Sequence, residues 1–216
     1  MSRSILADAF GHHVWATLRL IDACLGLTEE QAATGVPGTY GSILDTMRHL
    51  VGADCSYLFA LTGGRVATID EDRMDLLGLR AAMESNGPAW DSLLVPDLDP
   101  DTVVVRYRDD GSESHAPMGI RLAQALHHGT DHRSQVCTAL TALGVEPPAI
   151  DAWDFAGQDG RFEEIPPTLR AARPVGATFF VDTGARCPRR RRAQGEECYG
   201  PRRRDADAEG DHDSLR

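Results

Sequence analysis

The chain has 216 residues, a formal net charge of −11, and 42% hydrophobic, 25% charged and 6% aromatic residues; that is enough for one well-buried domain with an appendage and too little for two full ones. Its apolar runs are a few residues long, far below the roughly 18 to 20 that cross a bilayer, and the first residues lead into no signal-peptide core, so a cytoplasmic protein without membrane contact is expected. The acidic balance excludes a generic nucleic-acid binder, whose surface carries a basic excess.

That balance averages two unlike parts. All 22 basic residues are arginine, and nine of them stand at 186–216 beside seven acids. Residues 1–158 read as a folded domain and 159–185 as an irregular Gly- and Pro-rich extension. Residues 186–216 read as an Arg-rich, disordered tail, with too little apolar material to offset the entropy of ordering. Five cysteines without a CxxC pair indicate neither a disulfide framework nor a zinc ribbon. Cys24, Cys55 and Cys137 fall in helical patterns as small core residues. Cys187, Cys198 and His212 lie in the tail at a spacing that fits no compact ligand set.

In chain order, Phe10, Val14, Leu18, Ile21 and Leu25 recur at three- and four-residue steps and predict an amphipathic helix over 5–27. Thr28 opens a short turn, and 36–40 is loop chemistry. Ser42 with Asp45 offers an N-cap for a second helix to about residue 61, closed by Gly63 and Gly64, with Ile43, Met47, Leu50, Val51 and Leu58 inward. A third helical stretch, 72–94, carries Met74, Leu77, Leu79, Met83 and Trp90, and Asn86-Gly-Pro suggests a break or kink inside it. A β-branched run at 102–107, the turn signal Asp109-Asp110-Gly111 and a return at 113–116 form a small hairpin. A fourth helix runs over 118–143 to Gly144, and 151–156 is a last short helix. The expected architecture is all-α: a four-helix bundle with a small β-hairpin excursion.

Of eight histidines, His12, His13, His115 and His212 are set aside. His128 and His132, four apart on the fourth helix, project from one face about a turn from each other, the spacing two helical ligands of one ion require. HxxxH pairs also arise by chance. Here the pair is phased with Ala125, Val136 and Leu140, which turns His132 inward, where an unpartnered imidazole would be costly. His49 on the second helix is the third candidate, on a face whose Ser42, Thr46, Ala53 and Ser56 leave room for a cavity. Three neutral imidazoles suit Zn, Ni, Cu or Fe and leave coordination positions open.

The segment His-Gly-Thr-Asp-His-Arg-Ser-Gln at 128–135 resembles the HxxxHRxQ signature of the DinB-like (YfiT-like) metalloenzyme family, four-helix bundles unrelated to the polymerase of that name. Tyr40-Gly-Ser-Ile-Leu-Asp-Thr-Met-Arg-His49 is similar to the family's second-helix motif, and Tyr107-Arg-Asp-Asp-Gly-Ser precedes the signature helix. The resemblance covers about residues 1–158. It implies His49, His128 and His132 as ligands of a divalent metal (Zn, Ni or Fe), structural or outer-shell roles for Arg133 and Gln135, and a homodimer. Asp131, read with them as an outer-shell residue, stands where members often have histidine, and His127 takes no transferable role.

From that resemblance the leading function is a metal-dependent transferase that activates a low-molecular-weight thiol, mycothiol or bacillithiol, against a small-molecule substrate. Arginine without lysine, a mark of GC-rich genomes, leans to mycothiol. Hydrolysis by metal-bound water is the competing enzyme reading, with Asp54 and Asp131 as candidate bases; Asp54 sits about 500° round the helix from His49, and both read as solvated. A third reading is a non-catalytic metal- or ligand-binding stress protein, which a fourth ligand from His13 or His127 would favour.

Overall fold

The computed structural model describes residues 4–164 apart from 96, 97 and 109. The readings of 165–216, with Cys187, Cys198, His212 and the arginine runs, lie outside the described residues.

Among the described residues six α-helices and one hairpin follow in order: α1 Ile5–Cys24, α2 Glu29–Ala32, α3 Ile43–Leu61, α4 Leu76–Leu93, β1 Val103–Tyr107, β2 Glu113–Pro117, α5 Met118–Ala142 and α6 Ala152–Gln158. A bundle of α1, α3, α4 and α5 holds the core, so the expected all-α class with one β excursion is what the chain forms. Side-chain caps set most helix starts: Ser4, Ser42, Asp75 and Asp151 each accept the backbone N–H three residues on, and Thr28 with Gln31 closes a capping box over α2. At the end of α5, Gly144 takes a φ of +73°. The N–H groups of Gly144 and Val145 then reach back to Thr141 and Leu140, satisfying the last carbonyls. The strands pair antiparallel with Val105 opposite His115. No helix among the described residues is long and apolar enough to cross a membrane.

Three local expectations change. The first helix ends at Cys24 rather than 27, and Leu25 is exposed. Residues Glu71–Arg73 make a 3-10 turn, so α4 starts at Leu76 behind the Asp75 cap, and Leu77 points to solvent. Of the break or kink expected at Asn86-Gly-Pro, the break does not occur: α4 runs through Pro88. Proline there removes one donor and leaves the burial of Leu79, Met83 and Trp90 intact.

Asn86 has a different task. The apolar core divides into two clusters, one around Leu20, Met47, Leu50, Met83 and Leu140, the other around Phe10, Leu58, Trp90, Leu122 and Ala125. Between them each main helix contributes buried polar side chains: His13 and Thr17 from α1, Asp54 from α3, Asn86 from α4 and Arg133 from α5. Arg133 Nη1 donates to His13 Nδ1 at 3.0 Å and to Thr17 Oγ1 at 3.1 Å. An arginine can only donate, so His13 Nδ1 is bare and its proton sits on Nε2. That Nε2–H donates to Asp54 Oδ1 at 2.9 Å. Asp54 Oδ2 accepts from Asn86 Nδ2 at 2.7 Å and Trp90 Nε1 at 3.2 Å. A cation, a neutral imidazole and an anion thus form one compensated chain, in which each charge has the partners that burial demands.

Asp54 is therefore 2% exposed, not solvated, and His13, set aside as an incidental helix histidine, is the middle link. Burial pushes the Arg133 guanidinium down to about 10, with the Asp54 charge opposing, so it stays a cation at neutral pH. Gly129 makes room for the contact, since a Cβ there would overlap the His13 ring. Asp54→Ala strands the Arg133 charge in the core and is expected to lower the unfolding free energy by about 3–5 kcal/mol. Urea denaturation of the two proteins measures it, and a loss below about 1 kcal/mol would remove the chain's structural role.

Candidate metal centre

α5 advances about 100° per residue, so with Gly129 and Arg133 against α1, His128 and His132 face α3. There they meet His49, which lies five residues before Asp54 on a different face of α3. One ring nitrogen from each imidazole lies within 4.8 Å of the other two. His49 Nε2 and His128 Nε2 are 3.2 Å apart. Two nitrogens held at 2.0 to 2.1 Å by a tetrahedral ion stand about 3.3 Å apart, so the separation fits a shared ion. The ring planes cross at 64° for His49 with His128 and 88° for His49 with His132.

Hydrogen bonding selects the ligand atom of His132. The Tyr40 backbone N–H donates to Gln135 Oε1 at 2.9 Å, which identifies that atom as the amide oxygen. The same oxygen lies 3.2 Å from His132 Nδ1, so Nδ1 carries the proton and donates. His132 Nε2 is left bare and available to a cation, the arrangement in which an outer-shell acceptor fixes the tautomer of a ligating histidine. Burial, with the neighbouring His132 and His49 as smaller causes, pushes His128 down to about 4. Burial lowers His132 too, against its bond to Gln135. Both are neutral at pH 7, as ligation requires.

Tyr40, in the loop before α3, lies flat on His49, with centroids 4.2 Å apart and 8° between planes, and meets His132 edge-on. That loop is held by the Gly35–Ser42 bridge and by Thr39 Oγ1, which donates to the carbonyls of Val36 and Gly41. On the far side Tyr57 meets His128 edge-on at 5.9 Å. A cleft of about 290 Å³ opens beside the imidazoles, lined by His49, His128, Tyr57, Glu71 and Arg106 among others. Glu71 Oε1 lies 3.9 Å from His49 Nδ1, and a Cβ on Gly52 would overlap the Glu71 carboxylate. A larger apolar cleft of about 680 Å³, between α2, α3 and the start of α4, is lined by none of the three histidines.

Of the residues singled out in the sequence, His49, His128 and His132 come together, and Gln135 bonds to one of them. Arg133 does not: its guanidinium reaches His13, Thr17 and Thr130 on the opposite side of α5. Asp131 is exposed and touches the site only through its charge, which opposes the lowering of His128 and His132. His13 is held in the core chain and His127 is exposed, so neither closes the site with a fourth imidazole. Among the described residues no further histidine, cysteine or carboxylate joins the three. Glu71 and Arg106 escaped sequence reading. The only local trace of Glu71 was Gly52, a glycine one turn from His49 on a helix with no need of flexibility.

The family model for the DinB family matches residues 1–163. The chain belongs to the DinB family. No curated protein matches it. Family membership and the three-histidine cluster are together compatible with a metal-binding protein.

Protein purified without chelators is expected to carry a divalent ion that both His49→Ala and His128→Ala lose. Unchanged metal content in the two variants by elemental analysis would exclude the site. Gln135→Leu keeps all three imidazoles but frees the His132 tautomer, and is expected to weaken metal binding about 10- to 100-fold in a chelator competition.

Proposed function

We propose that this DinB-family protein holds a divalent metal ion on His49, His128 and His132 and transfers the sulfur of a low-molecular-weight thiol, of the mycothiol or bacillithiol kind, to a small electrophile. The observation that carries this reading is the cluster of three imidazoles, two of them on one helix, with His49 and His128 at the wall of an open cleft. The ion would supply Lewis acidity that keeps a bound thiol deprotonated at neutral pH.

The chain's own residues supply the rest. Tyr40 and Tyr57 flank the imidazoles, Tyr40 stacked on His49 and Tyr57 edge-on to His128. Gln135 holds His132 with its bare nitrogen inward. Glu71, the carboxylate lining the cleft, would take the proton that the thiol gives up as it binds; the resulting thiolate then forms the S–C bond while the electrophile's leaving group departs with its electron pair. Asp54, spent in the core chain, and Asp131, outside the cleft, do not serve as that base.

The chain's cysteines in the described region support an external thiol. Burial pushes Cys24 up to about 12 and also raises Cys55 and Cys137, so each is a protonated, unreactive thiol at neutral pH. In the native protein at pH 8, iodoacetamide is expected to leave Cys24 and Cys55 unmodified by peptide mapping, and to label both once urea is added.

The same Glu71 could instead activate water, which favours metal-dependent hydrolysis as the second reading. Metal-loaded protein with mycothiol or bacillithiol and 1-chloro-2,4-dinitrobenzene separates the two. Thiol consumption that is abolished by a chelator and by His128→Ala is the expected result. No thiol consumption, with cleavage of a nitrophenyl ester in its absence, would replace transfer by hydrolysis.

A further inference from the structure

Arg106 also lines the cleft beside His49, His128 and Glu71. It sits on β1 two residues from Val104, which packs against the core cluster around Trp90 and Leu122. Strand alternation puts Arg106 on that inward side of the hairpin, opposite Ser114 of β2. Arg121 of α5 braces this face from below, with Nη2 donating to the carbonyls of Val104 and Ser114 at 2.9 and 2.8 Å.

Three arginines, Arg106, Arg108 and Arg121, lie close enough here for their charges to act on one another. Arg106 has no ion pair or hydrogen bond among the described residues. Burial, and then the charges of Arg106 and Arg108, push the Arg121 guanidinium below its ordinary value, and no carboxylate is among the causes. In a chain of net charge −11, a bare guanidinium at the rim of a cleft beside a candidate metal centre is a recognition element for an anion. Glu71 occupies the same cleft near His49, so an anionic group of a ligand is directed away from Glu71 and onto Arg106. At about 290 Å³ the cleft takes a small molecule.

We propose that Arg106 binds a carboxylate of the substrate and so sets the specificity of the cleft for small carboxylate-bearing molecules over their neutral counterparts. The assignment rests on the reading of this cleft as the substrate site, but not on the metal being bound or on the thiol chemistry.

The test uses the full chain, metal-free, titrated with N-acetylalanine and with N-acetylalaninamide and followed by nuclear magnetic resonance. Wild type is expected to bind the carboxylate about tenfold more tightly than the amide, as one charge-assisted bond at a partly open site provides. Arg106→Gln should abolish the preference and leave amide binding unchanged. Arg108→Gln, outside the cleft, should keep it. Because the Arg106 guanidinium has no ion pair or hydrogen bond among the described residues, thermal unfolding of Arg106→Gln should match wild type. A wild type without carboxylate preference, whether through equal affinity or no binding, overturns the proposal, as does a preference that survives Arg106→Gln. Zinc-loaded protein with N-acetylcysteinamide separates the two readings. If that thiol binds no better than N-acetylalaninamide while the carboxylate preference holds, the thiol-transfer function falls and the Arg106 assignment stands.

Discussion

The buried chain from Arg133 through His13 to Asp54 is the constraint on which the rest of the molecule depends. Among the described residues it is the one place where all four main helices meet through directional bonds, since Asn86 and Trp90 of α4 complete the shell of Asp54. Apolar contacts between helices tolerate rotation and sliding; hydrogen bonds at about 3 Å do not. Buried ion pairs contribute little net stability compared with apolar side chains of the same volume. What this one supplies is orientation. With Arg133 turned to α1, helical geometry leaves His128 and His132 nowhere to face but α3.

That orientation links the core to the candidate metal centre without any bond between them. Gly129 is the hinge of the arrangement, because its missing side chain lets the His13 ring lie against α5. Around the imidazoles a second set of constraints comes from a loop. Tyr40 stacks on His49 with its ring and, through its backbone N–H, fixes the amide of Gln135 that selects the His132 tautomer. A single residue outside any helix thus orients ligands on two helices. Burial completes the preparation by keeping His128 and His132 neutral.

Much of the fold could be read from the chain alone, and the misreadings share a cause. The cap at Ser42, the stop at Gly144 and the turn glycine Gly111 are local chemistry, and each lies where expected. The reading of α1 failed at His13 because a polar residue inside an apolar stripe looks like an incidental one, although Phe10, His13, Ala16, Leu20 and Cys24 share the buried face. Asp54 was correctly placed off the face of His49, but off that face meant toward the core, not toward water. Asn86-Gly-Pro resembled a helix break or kink because the partners of Asn86 on α3, Asp54 and Cys55, could not be seen.

The sequence by itself determined the helical class, the bundle's four main elements and the three histidines, because these follow from periodicity, capping and i, i+4 spacing, which are properties of neighbouring residues. Only the tertiary structure decided what surrounds those histidines. Glu71 arrives on a 3-10 turn beyond the end of α3, Arg106 on a strand, and Tyr40 on a loop, and no periodicity connects elements so far apart in the chain. It also decided which polar residues are buried, since a charge can leave water only where a partner from another helix stands within hydrogen-bonding reach.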